Sequence, residues 1–214
     1  MKNFLMNLLD WIYKKKCYFC GKSKDSLKMC NSCYEKMMFN NVSADREILG
    51  IDVYSCGVYE TVLQKLIRGL KYHNQKELAY YQAKFMWEYW QKLNLKGDFV
   101  IVPVPLHKIR QKKRKYNHME LVAYEFSKMS NYPVELDLIK RIKNTKPQYN
   151  LKRVQRLENL KNAFEVNSSI KCNKHILLID DICTTGSTFE SIITELQKNK
   201  YNKITCLATA SVRF

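Results

Sequence analysis

The sequence predicts an α/β protein in which helices flank a parallel β-sheet, preceded by a small cysteine-rich module. Two observations predict this class. Apolar segments with the spacing of strands and of helices alternate along most of the chain, and a strand, a turn, a helix and a second strand follow one another near its end. Such a succession forms parallel strands with a covering helix. We assign a short amphipathic helix and the cysteine-rich module to residues 1–40, and the α/β domain to residues 41–214.

The composition is that of a folded, basic protein. Of the 214 residues, 46% are hydrophobic, and 37 Lys and Arg against 20 Asp and Glu give a formal net charge of +17. This excess predicts an anionic partner, such as nucleic acid or a phosphorylated metabolite, or else only a solvated basic surface. The apolar run Phe4–Ile12 is shorter than the roughly 20 residues that span a bilayer. We therefore expect no transmembrane segment and a cytoplasmic location.

Four of the eight cysteines form two pairs, and each pair is separated by two residues. Both sulfurs of such a tight turn can reach one ion, and two turns complete a tetrahedral shell that suits Zn²⁺. Disulfides or reduced core thiols are the alternatives, but the connecting stretch Lys22–Lys28 is too polar to form a core by itself. The sequence thus predicts a structural zinc ribbon with the ligands Cys17, Cys20, Cys30 and Cys33.

The first elements of the α/β domain are a strand over Ile51–Tyr59 and a helix over Thr61–Lys71, whose apolar residues recur at helical spacing. An aromatic-rich helix follows, and then a short buried strand that two prolines end. A further helix, a weaker strand and a partly helical charged region come next. Their ranges are Glu77–Leu93, Phe99–Val102, Met119–Met129, Val134–Ile139 and Asn150–Asn162.

The last elements predict where a ligand binds. His175–Ile179 is an apolar strand, Ser187–Lys198 an amphipathic helix and Lys203–Thr209 another apolar strand, which together form a βαβ unit. Ligands bind to such sheets at the carboxyl ends of the strands. The turn Asp180–Thr188 lies at that edge.

The groups in this turn suit a phosphorylated sugar. Asp180 and Asp181 are expected to end the strand and to present their carboxylates together, where ribose hydroxyls can satisfy them. Gly186 lets the backbone approach a ligand, and the amides that open the next helix form a cradle for a phosphate. An ordinary helix cap with a salt bridge is the alternative. The predicted ligand-binding residues are Asp180, Asp181, Thr184, Thr185, Gly186, Ser187 and Thr188.

The segment Ile176–Thr188 resembles the motif with which type I phosphoribosyltransferases bind phosphoribosyl pyrophosphate (PRPP). The resemblance implies a type I phosphoribosyltransferase-like sheet with flanking helices, and PRPP or another ribose 5-phosphate as the ligand. It also implies that Asp180 and Asp181 are the catalytic residues that hold the ribose hydroxyls, and that Thr184–Thr188 hold the 5-phosphate. Mg²⁺ would bridge ribose and pyrophosphate oxygens.

The cysteine pairs in front of such a domain make the chain similar to the ComF branch, the competence-associated phosphoribosyltransferase-like proteins. Similar stretches lie at Leu66–Tyr72, Val102–His107, Arg114–Asn117 and Thr145–Leu151. The resemblance implies a role in handling incoming single-stranded DNA during natural transformation. The implied partners are that DNA and other competence proteins, such as a ComF-type helicase. The chain departs from the family at Lys115, which replaces a Gly and puts the local backbone geometry in question.

A run of basic residues follows the strand that ends at Pro103. By the resemblance, the loop after this strand binds pyrophosphate, and the predicted contacts are Pro103, Val104, Lys108 and Arg114. A solvated charge run and a nucleic-acid contact are the alternatives. Three functions remain open: a PRPP-binding protein that acts on single-stranded DNA, a nucleic-acid-binding module that senses PRPP without turnover, and a purine or pyrimidine salvage phosphoribosyltransferase.

Overall fold

The computed structural model describes residues 16–22, 28–145 and 153–212. The predicted N-terminal helix lies outside these residues. The helices are α1 (Asn31–Tyr34), α2 (Thr61–Tyr72), α3 (Leu78–Leu93), α4 (Lys108–Arg114), α5 (His118–Ser130), α6 (Arg153–Leu160) and α7 (Ser187–Lys198). The strands are β1 (Arg46–Ile48), β2 (Ile51–Val58), β3 (Phe99–Pro103), β4 (Ile139–Arg141), β5 (Phe164–Val166), β6 (His175–Cys183) and β7 (Ile204–Ser211).

The central sheet has the strand order β1-β2-β7-β6-β3. Strands β2, β7, β6 and β3 run parallel, and β1 is an antiparallel edge strand beside β2. Strands β4 and β5 form a separate antiparallel pair. The sheet topology confirms the predicted α/β class with a mostly parallel sheet.

Strand β6 separates two hydrophobic cores because its successive side chains point to opposite faces. Leu177 and Ile179 belong to the first core, together with buried residues of α2, α3 and α5. Ile176 and Leu178 belong to the second core, which α7 and the β4–β5 pair cover. Helices thus lie on both faces of the sheet, as the apolar runs of its parallel strands require.

The cysteine-rich module packs against the α/β domain. Cys17, Cys30 and Cys33 are buried in the first core, in the same cluster as Leu66 of α2 and Leu78 of α3. At the edge of this contact the Tyr18 hydroxyl lies 2.6 Å from Nδ1 of His73. The two parts of the chain therefore share one core.

Several elements differ from their predicted bounds. Strand β6 continues to Cys183 because β7 runs beside it as far as Ser211. The basic run after β3 forms the helix α4 instead of a loop. Val134 makes only an isolated bridge to Ile101, and the strand of this region is β4. Strands β1 and β5, three residues each, were not predicted. Among the described residues, no helix is long and apolar enough to span a bilayer.

Lys115 adopts the backbone geometry that its replacement of Gly put in question. It ends α4 with φ 68° and ψ −5°, which is the left-handed conformation. A side chain other than Gly pays roughly 1–2 kcal/mol for this conformation. The chain therefore keeps the turn between α4 and α5 at a cost in stability.

Candidate functional site

The candidate site lies where β3 ends and β6 continues. The register of β3 against β6 ends with Pro103 beside Ile179, and the next amide, of Val104, donates to the carbonyl oxygen of Ile179 at 2.9 Å. Beyond this point β6 pairs with β7 alone, through Asp180, Ile182 and Cys183. The acidic pair therefore lies at the carboxyl edge of the sheet, beside the loop that follows β3.

The two carboxylates do not emerge together, as was expected from the sequence. Asp180 and Asp181 are consecutive residues of a regular strand, so their side chains point to opposite faces of the sheet. Asp181 lies on the face of α2 and α5, where it contacts both helices. Asp180 lies on the other face, where the positive charge of Arg141 on β4 acts on it. The prediction was wrong on this point because β6 extends beyond Ile179.

Asp181 is held in a buried ionic network. It is 6% exposed, its Oδ2 lies 2.6 Å from Nζ of Lys71, and the same oxygen accepts a hydrogen bond from Nε2 of His118. Burial alone would raise the pKa of Asp181, but the charge of Lys71 and the hydrogen bonds that His118 and Lys71 donate hold it well below its usual value. Burial would also lower the pKa of Lys71, but the charge of Asp181 raises it. Asp181 and Lys71 are therefore both charged at neutral pH.

His118 completes this network as a neutral group. Burial, together with the nearby charges of Lys71 and Arg114, lowers the pKa of His118 despite the attraction of Asp181. A neutral ring that donates from Nε2 to Asp181 accepts at Nδ1, and Nη1 of Arg114 lies 3.4 Å from that atom. Lys71 and His118 were not predicted as site residues. Both fall within or directly beside the family-like stretches Leu66–Tyr72 and Arg114–Asn117, which was the only signal available.

The pKa of Asp180 is shifted in the opposite direction from that of Asp181. Burial, and then the charge of Asp181, raise the pKa of Asp180 to about 7, although Lys71 and Arg141 act in the other direction. Its Oδ1 accepts a hydrogen bond from the amide of Asp181 at 2.8 Å. The surroundings of Asp180 therefore disfavour its charged form. A cation or a hydroxyl donor that arrives at this carboxylate stabilises the charged form.

Side chains of β1 contact the turn that follows β6. Gly186 has φ 82°, a backbone conformation that other residues rarely adopt, and a Cβ on it would lie 2.6 Å from Cδ1 of Ile48, so that side chain would have to move. Nη1 of Arg46 donates to the carbonyl oxygen of Thr184 at 2.9 Å. Helix α7 begins directly after Gly186, so its first amides point towards the edge of the sheet. Arg46 and Ile48 were missed because β1 was missed.

The turn is closed on itself. The hydroxyls of Thr185 and Ser187 lie 2.7 Å apart, and the cavity inside the turn has a volume of about 20 Å³, close to what one water needs. A cavity of about 600 Å³ lies outside it, between the turn and β1.

The basic residues of α4 point in different directions. Lys108 is exposed, and the guanidinium of Arg114 lies 5.2 Å from the ring centroid of Tyr72 and beside His118. Arg110 instead reaches inwards and donates to the carbonyl oxygen of Thr145 at 2.6 Å. Of the predicted pyrophosphate contacts, Pro103 and Val104 lie next to the acidic pair, whereas Arg114 reaches Asp181 only through His118.

The four paired cysteines form one cluster. Their sulfur atoms all lie within 4.8 Å of one another. The sulfurs of Cys20 and Cys30 are 3.8 Å apart, and tetrahedral Zn–S bonds of about 2.3 Å imply a similar separation. The amides of Phe19 and Cys30 each lie 3.4 Å from the sulfur of Cys17 and can donate to a thiolate there. This donor set fits a structural Zn²⁺ with four cysteine ligands.

The sheet topology, the site and the cysteine cluster together define a class of protein. A parallel sheet carries an acidic pair and a Thr-Thr-Gly-Ser-Thr turn at its carboxyl edge, and a four-cysteine cluster packs against it. This is the architecture of a phosphoribosyltransferase-like domain with a zinc ribbon.

The chain is also similar to proteins named for competence and for DNA utilization. The chain is 29% identical over 198 residues to competence protein F of Haemophilus influenzae, covering 85% of this chain and 84% of that protein. It is 25% identical over 174 residues to competence protein ComFC of Bacillus subtilis, covering 80% and 67%. It is 28% identical over 145 residues to the DNA utilization protein YhgH of Escherichia coli, covering 66% and 63%. These relatives confirm the predicted resemblance to the ComF type.

No family model matches the chain. Among solved structures, it is similar to the glutamine PRPP amidotransferase from B. subtilis, with 10% identity and a TM-score of 0.45 over 67% of this chain and 30% of that chain. A hypoxanthine phosphoribosyltransferase from Staphylococcus aureus gives 15% identity and a TM-score of 0.36 over 62% of each chain.

Proposed function

We propose that this chain binds Mg²⁺-PRPP, or another ribose 5-phosphate ligand, at the turn Asp180–Thr188, and that it acts in the cytoplasm on incoming single-stranded DNA. The observation that carries the first part is the geometry around Asp180. The carboxylate of Asp180, whose pKa is raised, lies at the carboxyl edge of a parallel sheet, and the left-handed Gly186 and the first amides of a helix follow it in the same turn. The second part rests on the names of the curated relatives, which refer to competence and DNA utilization.

The residues of the turn would divide the ligand between them. The amides and hydroxyls from Thr185 to Thr188 would hold the 5-phosphate at the positive end of α7. Asp180 would accept hydrogen bonds from ribose hydroxyls, or would contact a Mg²⁺ that also binds the pyrophosphate oxygens, since Mg²⁺ favours one or two carboxylates together with phosphates. When bound, Mg²⁺ would neutralise charge on the pyrophosphate. Asp181, held by Lys71 and His118, would fix the position of the strand that carries Asp180.

The test is a calorimetric titration of the wild type and of Asp180→Asn with Mg²⁺-PRPP at pH 8. We expect the variant to lose about tenfold or more in affinity, because hydrogen bonds to a charged group contribute about 1.5–3 kcal/mol. Asp98→Asn is the matched control, because Asp98 is exposed and forms a surface ion pair with Lys174. Equal affinities of the wild type and Asp180→Asn would refute the site. Release of pyrophosphate on addition of an acceptor would distinguish turnover from sensing.

The structure also offers a surface that suits single-stranded DNA. Lys65, Arg68 and Tyr72 lie on one exposed face of α2, at positions spaced by three and four residues. Tyr72 is 61% exposed, and the guanidinium groups of Arg68 and Arg114 lie 5.8 Å and 5.2 Å from its ring centroid. At the other end of the face, Nζ of Lys65 lies 5.2 Å from the ring centroid of Tyr18 in the cysteine module. Bases stack on such rings while the basic groups follow the phosphates.

Tyr72→Ala tests this surface. Base–aromatic stacking contributes about 1–3 kcal/mol per base, so we expect the affinity for a labelled oligothymidine to fall roughly 5- to 100-fold in fluorescence anisotropy. Wild-type affinity should also decrease steeply with salt concentration. Tyr124→Ala is the control, because Tyr124 is 49% exposed on α5, outside this face. If both variants bind like the wild type, the DNA surface lies elsewhere.

A further inference from the structure

A groove runs along the open edge of the central sheet. Strand β1 is the last strand on its side, and among the described residues no strand pairs with its outer edge. Residues 45–49 line the cavity of about 600 Å³ beside it, together with Thr185 from the turn before α7 and Glu190 from the first turn of α7. This volume is within the range of roughly 300–1,000 Å³ that is typical of ligand sites. The cavity is thus a groove between a strand edge and a helix.

Strand β1 is fixed in this position by the turn that follows β6. Cδ1 of Ile48 fills the space beside Gly186, and Nη1 of Arg46 donates to the carbonyl oxygen of Thr184 at 2.9 Å. An edge that is ordered before binding loses little conformational entropy when a partner strand is added. Extended peptides bind to such edges through backbone hydrogen bonds, while side-chain contacts supply the specificity.

The tip of the β1–β2 hairpin presents an apolar side chain. Leu49 and Gly50 form its two-residue turn, with φ of 53° and 76°, and Leu49 is 50% exposed. Asn and Gly are favoured at the first position of such a turn, whereas other side chains are disfavoured there. Nε2 of Gln197 on α7 donates to the carbonyl oxygen of Leu49 at 3.1 Å and helps to hold the turn. The fold therefore keeps an unfavourable apolar residue at the groove, where it can contact a bound peptide.

The charge of the groove indicates which kind of peptide fits. Asp45, Glu47 and Glu190 line it, against one basic residue, Arg46, whose guanidinium donates to the turn. Within residues 16–22, 28–145 and 153–212, none of the three carboxylates forms a salt bridge. This acidic lining contrasts with the net charge of +17 of the chain. Charges on an edge strand oppose pairing with strands of like charge, so a basic segment is the matching partner.

We propose that β1 binds an extended, basic segment of a partner protein, which adds as a strand to the open edge and lies in the groove beside α7. Lysine or arginine side chains of the segment would contact Glu47 and Glu190, and an apolar side chain would contact Leu49. The site goes beyond the proposed function and is independent of it, because its ligand has neither ribose nor phosphate.

The probe is an acetylated and amidated Lys-Val-Lys-Val-Lys peptide, titrated into ¹⁵N-labelled protein and followed by NMR. We expect the largest shifts on the backbone amides of residues 46–49. The shifts should be lost when the peptide amides are N-methylated, and a Glu-Val-Glu-Val-Glu peptide should not bind. No shifts at millimolar basic peptide, shifts concentrated elsewhere, or equal binding of the N-methylated peptide would overturn the proposal. A dimer of the free protein that pairs through β1 would also overturn it, because a second copy would then occupy the edge.

Two variants test the groove itself. Glu47→Lys should weaken peptide binding about fivefold or more, because it replaces an attraction by a repulsion. Glu165→Lys is the matched control, since Glu165 is exposed in the middle of the three-residue strand β5. Leu49→Asn should bind the peptide about threefold more weakly, because an apolar contact is lost, yet it should melt no lower than the wild type, because Asn-Gly suits the turn. Misfolding would lower both quantities. Equal affinities of the wild type, Glu47→Lys and Leu49→Asn would contradict the docking site.

Discussion

Asp181→Asn is expected to lower the free energy of unfolding by about 3 kcal/mol or more at pH 7, because removing one partner of a buried ion pair leaves the other charge uncompensated. The group left without its partner is Lys71, whose side chain is 17% exposed, and His118 loses the acceptor of its Nε2 hydrogen bond. Urea unfolding followed by circular dichroism measures this loss. Asp180→Asn should lower the free energy of unfolding less than Asp181→Asn does, because it removes a carboxylate whose charge the fold disfavours.

The difference in stability between the wild type and Asp181→Asn should depend on pH, because the pKa of Asp181 is lowered in the folded protein. A carboxylate with a lowered pKa in the folded state stabilises the protein above its unfolded pKa of about 3.9 and loses this contribution as the pH falls through the folded value. The gap between the wild type and Asp181→Asn should therefore be full at pH 7 and should narrow below about pH 4.

Two further variants show whether the buried ion pair causes the loss of stability in Asp181→Asn. Asp98→Asn breaks an exposed pair with Lys174 and should cost about 0–1 kcal/mol. The double variant Lys71→Met/Asp181→Asn should recover part of the stability that Asp181→Asn loses, because no buried charge is left unpaired. If Asp181→Asn is as stable as Asp98→Asn, then the buried ion pair of Asp181 does not stabilise the fold as stated here.

If the four-cysteine cluster holds zinc, loss of a ligand should destabilise the whole protein. Cys17, Cys30 and Cys33 share a core with α2 and α3, so loss of the bonds that would fix their sulfur atoms should disturb the packing of both helices. Zinc binding to four cysteines contributes folding free energy directly. We expect Cys20→Ser to lose zinc and to lower the melting temperature by roughly 6–12 °C, which corresponds to about 3 kcal/mol in a chain of this size.

Cys20 is the suitable ligand to replace because it is exposed, whereas the other three are buried. Its substitution removes a donor without opening a cavity. Cys172→Ser is the matched control, since Cys172 is partly buried and lies outside the cluster. Calorimetry and metal analysis of the same samples provide the measurement. A Cys20→Ser protein that keeps one zinc per chain, or that has the same melting temperature as Cys172→Ser, would show that the cluster does not hold zinc.

Much of the fold could be predicted because apolar spacing is a local property. Helix α7 has the predicted bounds, and α2, α3 and α5 differ from theirs by one residue at each end at most. The spacing of the cysteine pairs likewise predicted the cluster. The short strands β1 and β5 carry too few residues for a recognisable alternation, and β6 exceeded its predicted length because pairing with β7, not its own sequence, decides where it ends.

The candidate site was only partly predictable, for a related reason. The turn Asp180–Thr188 is continuous in sequence, so its residue types could be interpreted together. Lys71, His118 and Arg141 come from other elements and meet the acidic pair only through the packing of α2, α5 and β4. The two aspartates have the same residue type but opposite pKa shifts, because strand alternation places them in different surroundings.

The most direct measurement for the ribose site is a heteronuclear NMR titration of ¹⁵N-labelled protein with ribose 5-phosphate and Mg²⁺. If the first amides of α7 hold the phosphate, the largest shifts should fall on the backbone amides of Gly186, Ser187 and Thr188, with smaller ones at Asp180. Unperturbed amides in this turn at saturating ligand, or shifts concentrated elsewhere, would contradict the account.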